Sequence, residues 1–423
     1  MRPTSRPAAA SPTGRLAPIA AWLVIGCSGT TDVVTPPPPP PATFVLQFVA
    51  DPEDAATVQA LGWQSGLPGV ELALRPADTA RGGPQPYRSN DQGAVSLTGI
   101  TPGRYVAVAA RWLTSVERAS LPTAADANGF VVKTVVDVLA SGRATVAVPA
   151  SRRRSVIISE WAFNPTGGDL FTGFLELYNN ADTTVYLDGM IVAEGFNRDY
   201  DYPGNGCAEN APYTNDPLGV WTRFFQQFPG SGRTLPLPPG ATVVVATDAI
   251  DHRSFDPSGI DLSNADFEFV GGVDVDNPAA VNMIDIGLQS HIRGHGLEFA
   301  GISAVTVLAR PGDIAGFARA RFSGTEWARI PRDLILDVLS LRSKFDAGLP
   351  PCPRLVNAAF DRQESYVRGT DEVVEREFSV SRLAPAALSS LRRLQHSRAG
   401  DADFDRTRRS PGLLPSPQPS ITR

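Results

Sequence analysis

Three cysteines and four histidines carry most of the reactive chemistry that this 423-residue chain offers. Cys27 follows Val24-Ile25-Gly26, with a branched aliphatic residue at −3 and a small residue at −1. That is the pattern read by the lipoprotein-processing peptidase, and it makes Cys27 a lipidation site: the thiol receives a diacylglycerol before cleavage frees its amino group. With Cys27 acylated, Cys207 and Cys352 remain as an even pair in an oxidising compartment, which makes them a candidate disulfide. Such a bridge would close a loop of roughly 145 residues, for which the chain-entropy model gives about 5 kcal/mol. His291 and His295 have the i, i+4 spacing of a zinc-binding helix, but Gly294 and Gly296 oppose a helix. No glutamate follows His291 to serve as general base. Asp274-Val275-Asp276-Asn277 opens like a calcium loop and lacks the sixth-position glycine and the closing glutamate. His291 and His295 are therefore read as turn or core histidines; His252 and His396 are the other two in the chain. No Gly-x-Ser-x-Gly elbow occurs, and a paired-carboxylate site depends on spatial separation that spacing does not show. The reading therefore includes no catalytic residue, no metal and no cofactor.

Recognition chemistry is concentrated elsewhere. Tyr200, Tyr202, Tyr213 and Trp221, with Phe196, Phe224, Phe225 and Phe228 nearby, lie among Asn, Asp and Gly. Aromatic faces with amide and carboxylate neighbours suit a glycan or a protein ligand. The alternative is a satellite core under a long loop.

These residues must be positioned by what the rest of the chain builds. Arg2, Arg6 and Arg15 precede the apolar segment Leu16–Ile25, which is too short to span a bilayer as a mature helix and reads as a leader ending at residue 26. Acyl chains on Cys27 would then hold the chain at a membrane, at about 0.8 kcal/mol per buried methylene. Ser28 is not the aspartate that retains enterobacterial lipoproteins in the inner membrane, which points to the outer membrane. Residues 27–42 form a tether, and its six prolines, Pro36–Pro41, span roughly 20 Å as polyproline II. From residue 43 to 150 short strands alternate with turns. Gly69-Val70-Glu71-Leu72-Ala73-Leu74 has period two, Asn90-Asp91-Gln92-Gly93 is a turn, and Thr101-Pro102-Gly103 tightens before Tyr105-Val106-Ala107-Val108. Further strands are expected at Phe130–Val138 and Ala144–Val148. Arg152-Arg153-Arg154 marks a solvated boundary. Residues 155–410 read as a second β-rich domain, and 411–423 as a disordered tail.

The Gly-Val-x-Leu-x-Leu strand, Asn90-Asp91-Gln92-Gly93 turn and Pro-Gly-x-Tyr stretch of residues 69–105 resemble the carboxypeptidase regulatory-like (transthyretin-like) family, whose modules generally act as spacers. Ser159-Glu160-Trp161-Ala162-Phe163-Asn164-Pro165, Phe174-Leu175-Glu176-Leu177-Tyr178-Asn179 and Tyr186-Leu187-Asp188-Gly189 resemble the start of a lamin-tail-like domain, an immunoglobulin-like sandwich. Leu394-Gln395 and Ala402-Asp403-Phe404 resemble its closing motif, with His396-Ser397 where Asp-Thr is usual. Residues 195–235 and 251–296 then read as insertions. The whole order resembles an uncharacterised family of bacterial lipoproteins. The implied fold class is all-β, with two immunoglobulin-like/transthyretin-like β-sandwiches behind the leader and spacer.

A net charge of −6 disfavours a nucleic-acid partner, which needs a basic field to meet phosphates. The functional expectation is a membrane-anchored surface lipoprotein, lipid-anchored in the outer membrane, with a non-enzymatic binding or assembly role. Two alternatives stay open: an accessory lipoprotein handing a ligand to a TonB-dependent outer-membrane transporter, and a secreted hydrolase.

Overall fold

The computed structural model describes residues 43–64, 66–77, 85–122, 126–152, 156–162, 172–195, 215–255, 257, 259–270, 276–288, 305–322, 325–343, 356–362, 365–367, 378–383, 394, 396–397 and 403–413. A compact unit runs from Ala42, directly after the six prolines, to the end of the chain. It is an all-β fold built of sandwiches.

Residues 43–152 supply the first sandwich: β1 (Thr43–Ala50), β2 (Glu71–Pro76), β3 (Gln85–Arg88), β4 (Ala94–Thr98), β5 (Gly103–Trp112), β6 (Ala127–Val138), β7 (Gly142–Val148) and β8 (Ala150–Arg152). One sheet has the order β4-β1-β7 and the other β3-β2-β5-β6-β8. Period-two patterning decides which side chains meet between them. Phe44, Leu46 and Phe48 of β1 face Leu72 and Leu74 of β2, and all five are buried in one core. The turns behave as their residues require. Asn90 Oδ1 accepts from the N–H groups of Gln92 (3.0 Å) and Ala94 (2.9 Å). Gly93 has φ +78°, and a Cβ there would sit 2.6 Å from both Leu67 N and Phe48 O. Tyr105 donates to Thr101 O at 2.7 Å, which pins the Pro102-Gly103 turn.

The second sandwich uses β9 (Val156–Ala162), β10 (Phe174–Asn179), β11 (Val185–Tyr186), β12 (Ile191–Gly195), β13 (Gly219–Gln227), β14 (Pro236–Leu237), β15 (Thr242–Ala246), β16 (Phe267–Glu268), β17 (Val281–Asn282), β18 (Ile284–Asp285), β19 (Val305–Ala309), β20 (Ala318–Phe322), β21 (Thr325–Pro331), β22 (Ile335–Ser343), β23 (Ser365–Val367), β24 (Phe378–Arg382) and β25 (Phe404–Arg408). A seven-stranded sheet, β17-β16-β15-β10-β9-β24-β25, faces an eight-stranded one whose main path is β20-β21-β13-β12-β19-β22-β23. Val156, Ile158, Leu175, Leu177, Val192 and Leu339 close the core between them. Here the strands are buried on both faces, so β9 (VIISEWA) and β12 (IVAEG) read as continuous runs rather than alternations. The outer face of the eight-stranded sheet is covered too, with Trp221, Phe225, Trp327 and Phe360 in a second cluster. Part of residues 195–235, read as an insertion, is thus body: β13 lies between β12 and β21. The described body also reaches Leu413, past the expected start of the tail at Pro411.

The two sandwiches are tied by polar contacts. Arg152 N donates to His396 O at 2.9 Å, and His396 N donates to Ser151 Oγ at 3.1 Å. Arg362 pairs with Asp51 at 3.3 Å and with Glu53.

Candidate functional site

An open groove of about 530 Å³ runs along the end of β21 and the turn into β22, lined by Pro217, Leu218, Arg329, Pro331, Arg332 and Ile335, among others. Its wall is built by Asp216. Asp216 Oδ1 accepts from Leu218 N (2.8 Å), and Oδ2 accepts from Trp221 Nε1 (2.9 Å) and Arg329 Nη1 (3.1 Å). Burial pushes the Asp216 carboxyl up, and these three donors outweigh it and hold the group below the usual range. Arg329 also lies 5.6 Å above the Trp221 ring, so indole and carboxylate together fix the guanidinium.

A smaller cavity of about 70 Å³ adjoins this groove and shares Arg332 and Ile335 with it. Asp337, Val338, Ala359, Phe360 and His396 complete most of its wall. Asp337, on β22, is the centre of a buried ionic network. Its carboxylate accepts from Ile158 N (2.9 Å), Arg382 Nη2 (2.6 Å) and His396 Nε2 (3.1 Å). Burial opposes ionisation there, yet Arg382, His396 and the backbone donor hold its pKa at about 2. Arg382 is 1% exposed; it also donates to Ile158 O (2.7 Å) and to Asp403 Oδ2 (3.3 Å), and stacks 4.3 Å from the Phe404 ring. Asp403 in turn accepts from Ser397 N (2.8 Å) and Ser397 Oγ (2.7 Å). The substituted closing motif, His396-Ser397 and Asp403-Phe404, thus meets around one arginine. His396 Nδ1 is buried and has no hydrogen-bond partner among the described residues.

A second buried acid site lies on the seven-stranded sheet. Glu160 of β9 and Glu176 of β10 stand opposite each other in register, and both are fully buried. Glu160 accepts from Ser410 N (2.9 Å), Ser410 Oγ (2.7 Å) and Ser379 Oγ. Glu176 accepts from Ser159 Oγ (2.7 Å) and Gly412 N (2.9 Å). Burial raises the pKa of both, Glu176 to about 8, with the neighbouring Glu160 charge adding to the effect. Ser410 and Gly412 cap the pair, so it lines no cleft among the described residues. Nor do the described residues hold any group of three or more His, Cys, Asp or Glu placed to bind a metal.

Strands β21 and β22, which carry the groove, lie in a stretch that a family model matches. Residues 238–344 match the family model described as "Protein of unknown function (DUF4876)". The match spans β15 to β22, and so includes Arg329, Arg332 and Asp337. A crystal structure of a DUF4876 family protein from Bacteroides thetaiotaomicron is 17% identical and superposes over 89% of this chain and 99% of its own, with a TM-score of 0.52. That is a likeness of fold. The Bacillus anthracis TIE protein, 8% identical, covers 49% of this chain and 28% of its own at a TM-score of 0.17. A DUF3823 family protein from Bacteroides uniformis, 10% identical, covers 68% and 96% at 0.16. Both scores are too low to bear on this fold. No curated protein matches the chain.

Of the residues singled out from sequence, Trp221 is in the structure, 8% exposed, and it supports the groove wall from behind. Phe225 and Phe228 are fully buried core residues. Cys27, Cys207, Cys352, Phe196, Tyr200, Tyr202, Tyr213, His291, His295 and the start of the Asp274–Asn277 segment lie outside the described residues. His252 is buried, its Nε2 3.0 Å from Asp248 O, which suits a turn histidine. Asp188 of the Leu-Asp-Gly motif accepts from Thr234 N (2.9 Å) and Leu235 N (2.8 Å), which folds the loop before β14 onto the sandwich. Sequence reasoning missed Arg382, Asp337 and the groove. Asp337 had one visible signal, a lone carboxylate inside the apolar run Ile335-Leu336-Asp337-Val338-Leu339.

Proposed function

We propose that this chain is a membrane-anchored lipoprotein of the outer membrane that displays a non-enzymatic binding or assembly module. The observation that carries the reading is the start of the compact unit at Ala42, the residue after the proline run. Everything before it is then available as leader, lipid attachment at Cys27 and spacer. Among the described residues no helix is long and apolar enough to cross a membrane. The body behind the spacer joins two sandwiches through buried polar contacts and bears an open groove, which suits display. The buried, capped Glu160–Glu176 pair gives the hydrolase alternative no support, since a glycosidase pair flanks a substrate cleft. The reading includes a disulfide between Cys207 and Cys352. Asn357 Nδ2 donates to Asn215 O (3.1 Å) and Asn215 Oδ1 (2.9 Å), and these residues follow Cys352 and Cys207 by five and eight positions. At about 3.5 Å per residue, both cysteines are within reach of that junction.

The test is incorporation of radiolabelled palmitate, with globomycin as inhibitor of processing and Cys27→Ala as control. Label in the wild type that is lost in Cys27→Ala supports the anchor. An unlabelled wild type rejects it. Protease added to whole cells then distinguishes an outward-facing chain from one facing the periplasm.

A further inference from the structure

We propose that residues 409–413 form a proton-dependent strap, seated across the seven-stranded sheet while the Glu160–Glu176 pair holds a proton and lifted from it when both glutamates are charged. The proposal is independent of lipid attachment and concerns how the body opens.

The geometry starts from the face of the sheet that turns away from the main core. Along β10, Leu175 and Leu177 enter that core, so Phe174, Glu176 and Tyr178 point to the other side. Phe174 joins an apolar cluster with Ala249, Leu262 and Ala265, and Tyr178 packs with Ile157 and Leu394. Between these two apolar covers stands the acid pair, with Glu160 opposite Glu176 in register. The strap closes the gap. Ser410 gives its N–H and its hydroxyl to Glu160, and Gly412 gives its N–H to Glu176. Both glutamates are fully buried, whereas Gly412 and Leu413 are exposed, so a single thickness of chain separates the acids from water.

One proton fits this arrangement. A protonated Glu176 donates to Ser159 Oγ, which accepts as well as donates, and its other oxygen still receives the Gly412 N–H. Two charges do not fit, because like charges opposite each other on neighbouring strands repel and burial withholds the water that would solvate them. The groups around the pair leave that repulsion in place. Asp266, before β16, adds to it at Glu176, and Arg409, on the strap itself, offsets part of the Glu160 charge. On the flanking strands, Val244 of β15 stands opposite Glu176 and Ser379 of β24 donates to Glu160. Burial, and then the Glu160 charge, raise Glu176 from 4.5 to about 8. With the strap lifted, water reaches both acids and the shift relaxes, so opening releases a proton. The seated form has the raised pKa; its advantage is complete below 4.5 and is lost as pH rises through 8.

The experiment is amide hydrogen exchange of the full chain at pH 6 and pH 8, read as protection factors so that the intrinsic exchange rate cancels. One proton released per opening allows up to about tenfold more opening per pH unit. The Ser410 and Gly412 amides should therefore lose about tenfold or more of their protection between the two pH values, while amides of β21, in the opposite sheet, keep theirs. Glu176→Gln retains an acceptor for Gly412 and cannot ionise, so most of the pH dependence should disappear. Glu160→Gln removes the opposing charge and should reduce it in part, which keeps the test open if Glu176→Gln fails to fold. Equal protection of Ser410 and Gly412 at both pH values in the wild type overturns the proposal. So does an undiminished fall in the folded variants. A fall shared by β21 also overturns it, because the whole body would then be opening in place of the strap.

Discussion

At the residue scale the interior is organised by charge. Arg382 pairs with two buried carboxylates, Asp337 and Asp403, and removing it would take an ion pair from each. Breaking a buried pair costs about 3–5 kcal/mol, so Arg382→Met should lower unfolding free energy in urea by that amount. A loss under 1 kcal/mol would mean that water reaches the network. The two acid sites respond to pH with opposite signs. Asp337 has its folded pKa lowered to about 2, so its contribution is present above pH 3.8 and is lost as pH falls from there through 2. Glu176 has its folded pKa raised to about 8, so its contribution is present below pH 4.5 and is lost as pH rises from there through 8. Replacing Glu176 with Gln should flatten the upper limb, a change on the order of 5 kcal/mol across that range, as read by unfolding at successive pH values. An unchanged pH profile would show that Glu176 ionises freely in the folded state. Both glutamates stand in motifs legible from sequence, Glu160-Trp161 and Leu175-Glu176-Leu177. Their opposition was not legible, because it depends on the register of β9 against β10, which shifts between Glu176 and Leu177.

At the element scale, the first sandwich was largely readable and the second only at its start. Residues 43–150 alternate, and Phe130–Val138 and Ala144–Val148 fall within β6 and β7. In the second sandwich burial on both faces removes the alternation, and β13 hides inside an aromatic, polar-flanked stretch that resembles a loop. Its aromatics serve two purposes: Phe225 fills a core and Trp221 orients Arg329. The segment from Pro411 onward reads as tail, since Gly412 acts through a backbone N–H that composition does not reveal. Ending the chain at Arg409 removes three donors to buried carboxylates. The expected outcome is about 2–4 kcal/mol of destabilisation at pH 7, growing at pH 9 as Glu176 ionises. Amide exchange in β9 and β10 should report it, and exchange as slow as in the intact chain would show that the segment does not cap the pair. For the cysteines, a disulfide predicts one peptide pair joining Cys207 and Cys352 in a non-reducing digest. Free thiols at both positions would reject it.

At the scale of the whole molecule, the question is whether the two sandwiches act as one body. Separate domains usually meet through surfaces that let them move. Here the connection between β8 and β9 is short, and the link is reinforced at two places. His396 is held on one side by Ser151 and Arg152, and on the other by Asp337. Arg362, half-buried, reaches from the second sandwich to Asp51 and Glu53 in the first. The Asp54 carboxylate, 2% exposed, accepts from Ala150 N at 2.7 Å and pairs with Arg152, so the strand that joins the sandwiches is anchored in the core of the first. Contacts of this kind make local opening of one sandwich disturb the other, and the chain should melt in a single calorimetric transition. Arg362→Glu reverses one link by placing a carboxylate beside Asp51 and Glu53, and should separate the endotherm into two steps or shift part of it downward. Two independent transitions in the wild type would show instead that the first sandwich is a free spacer.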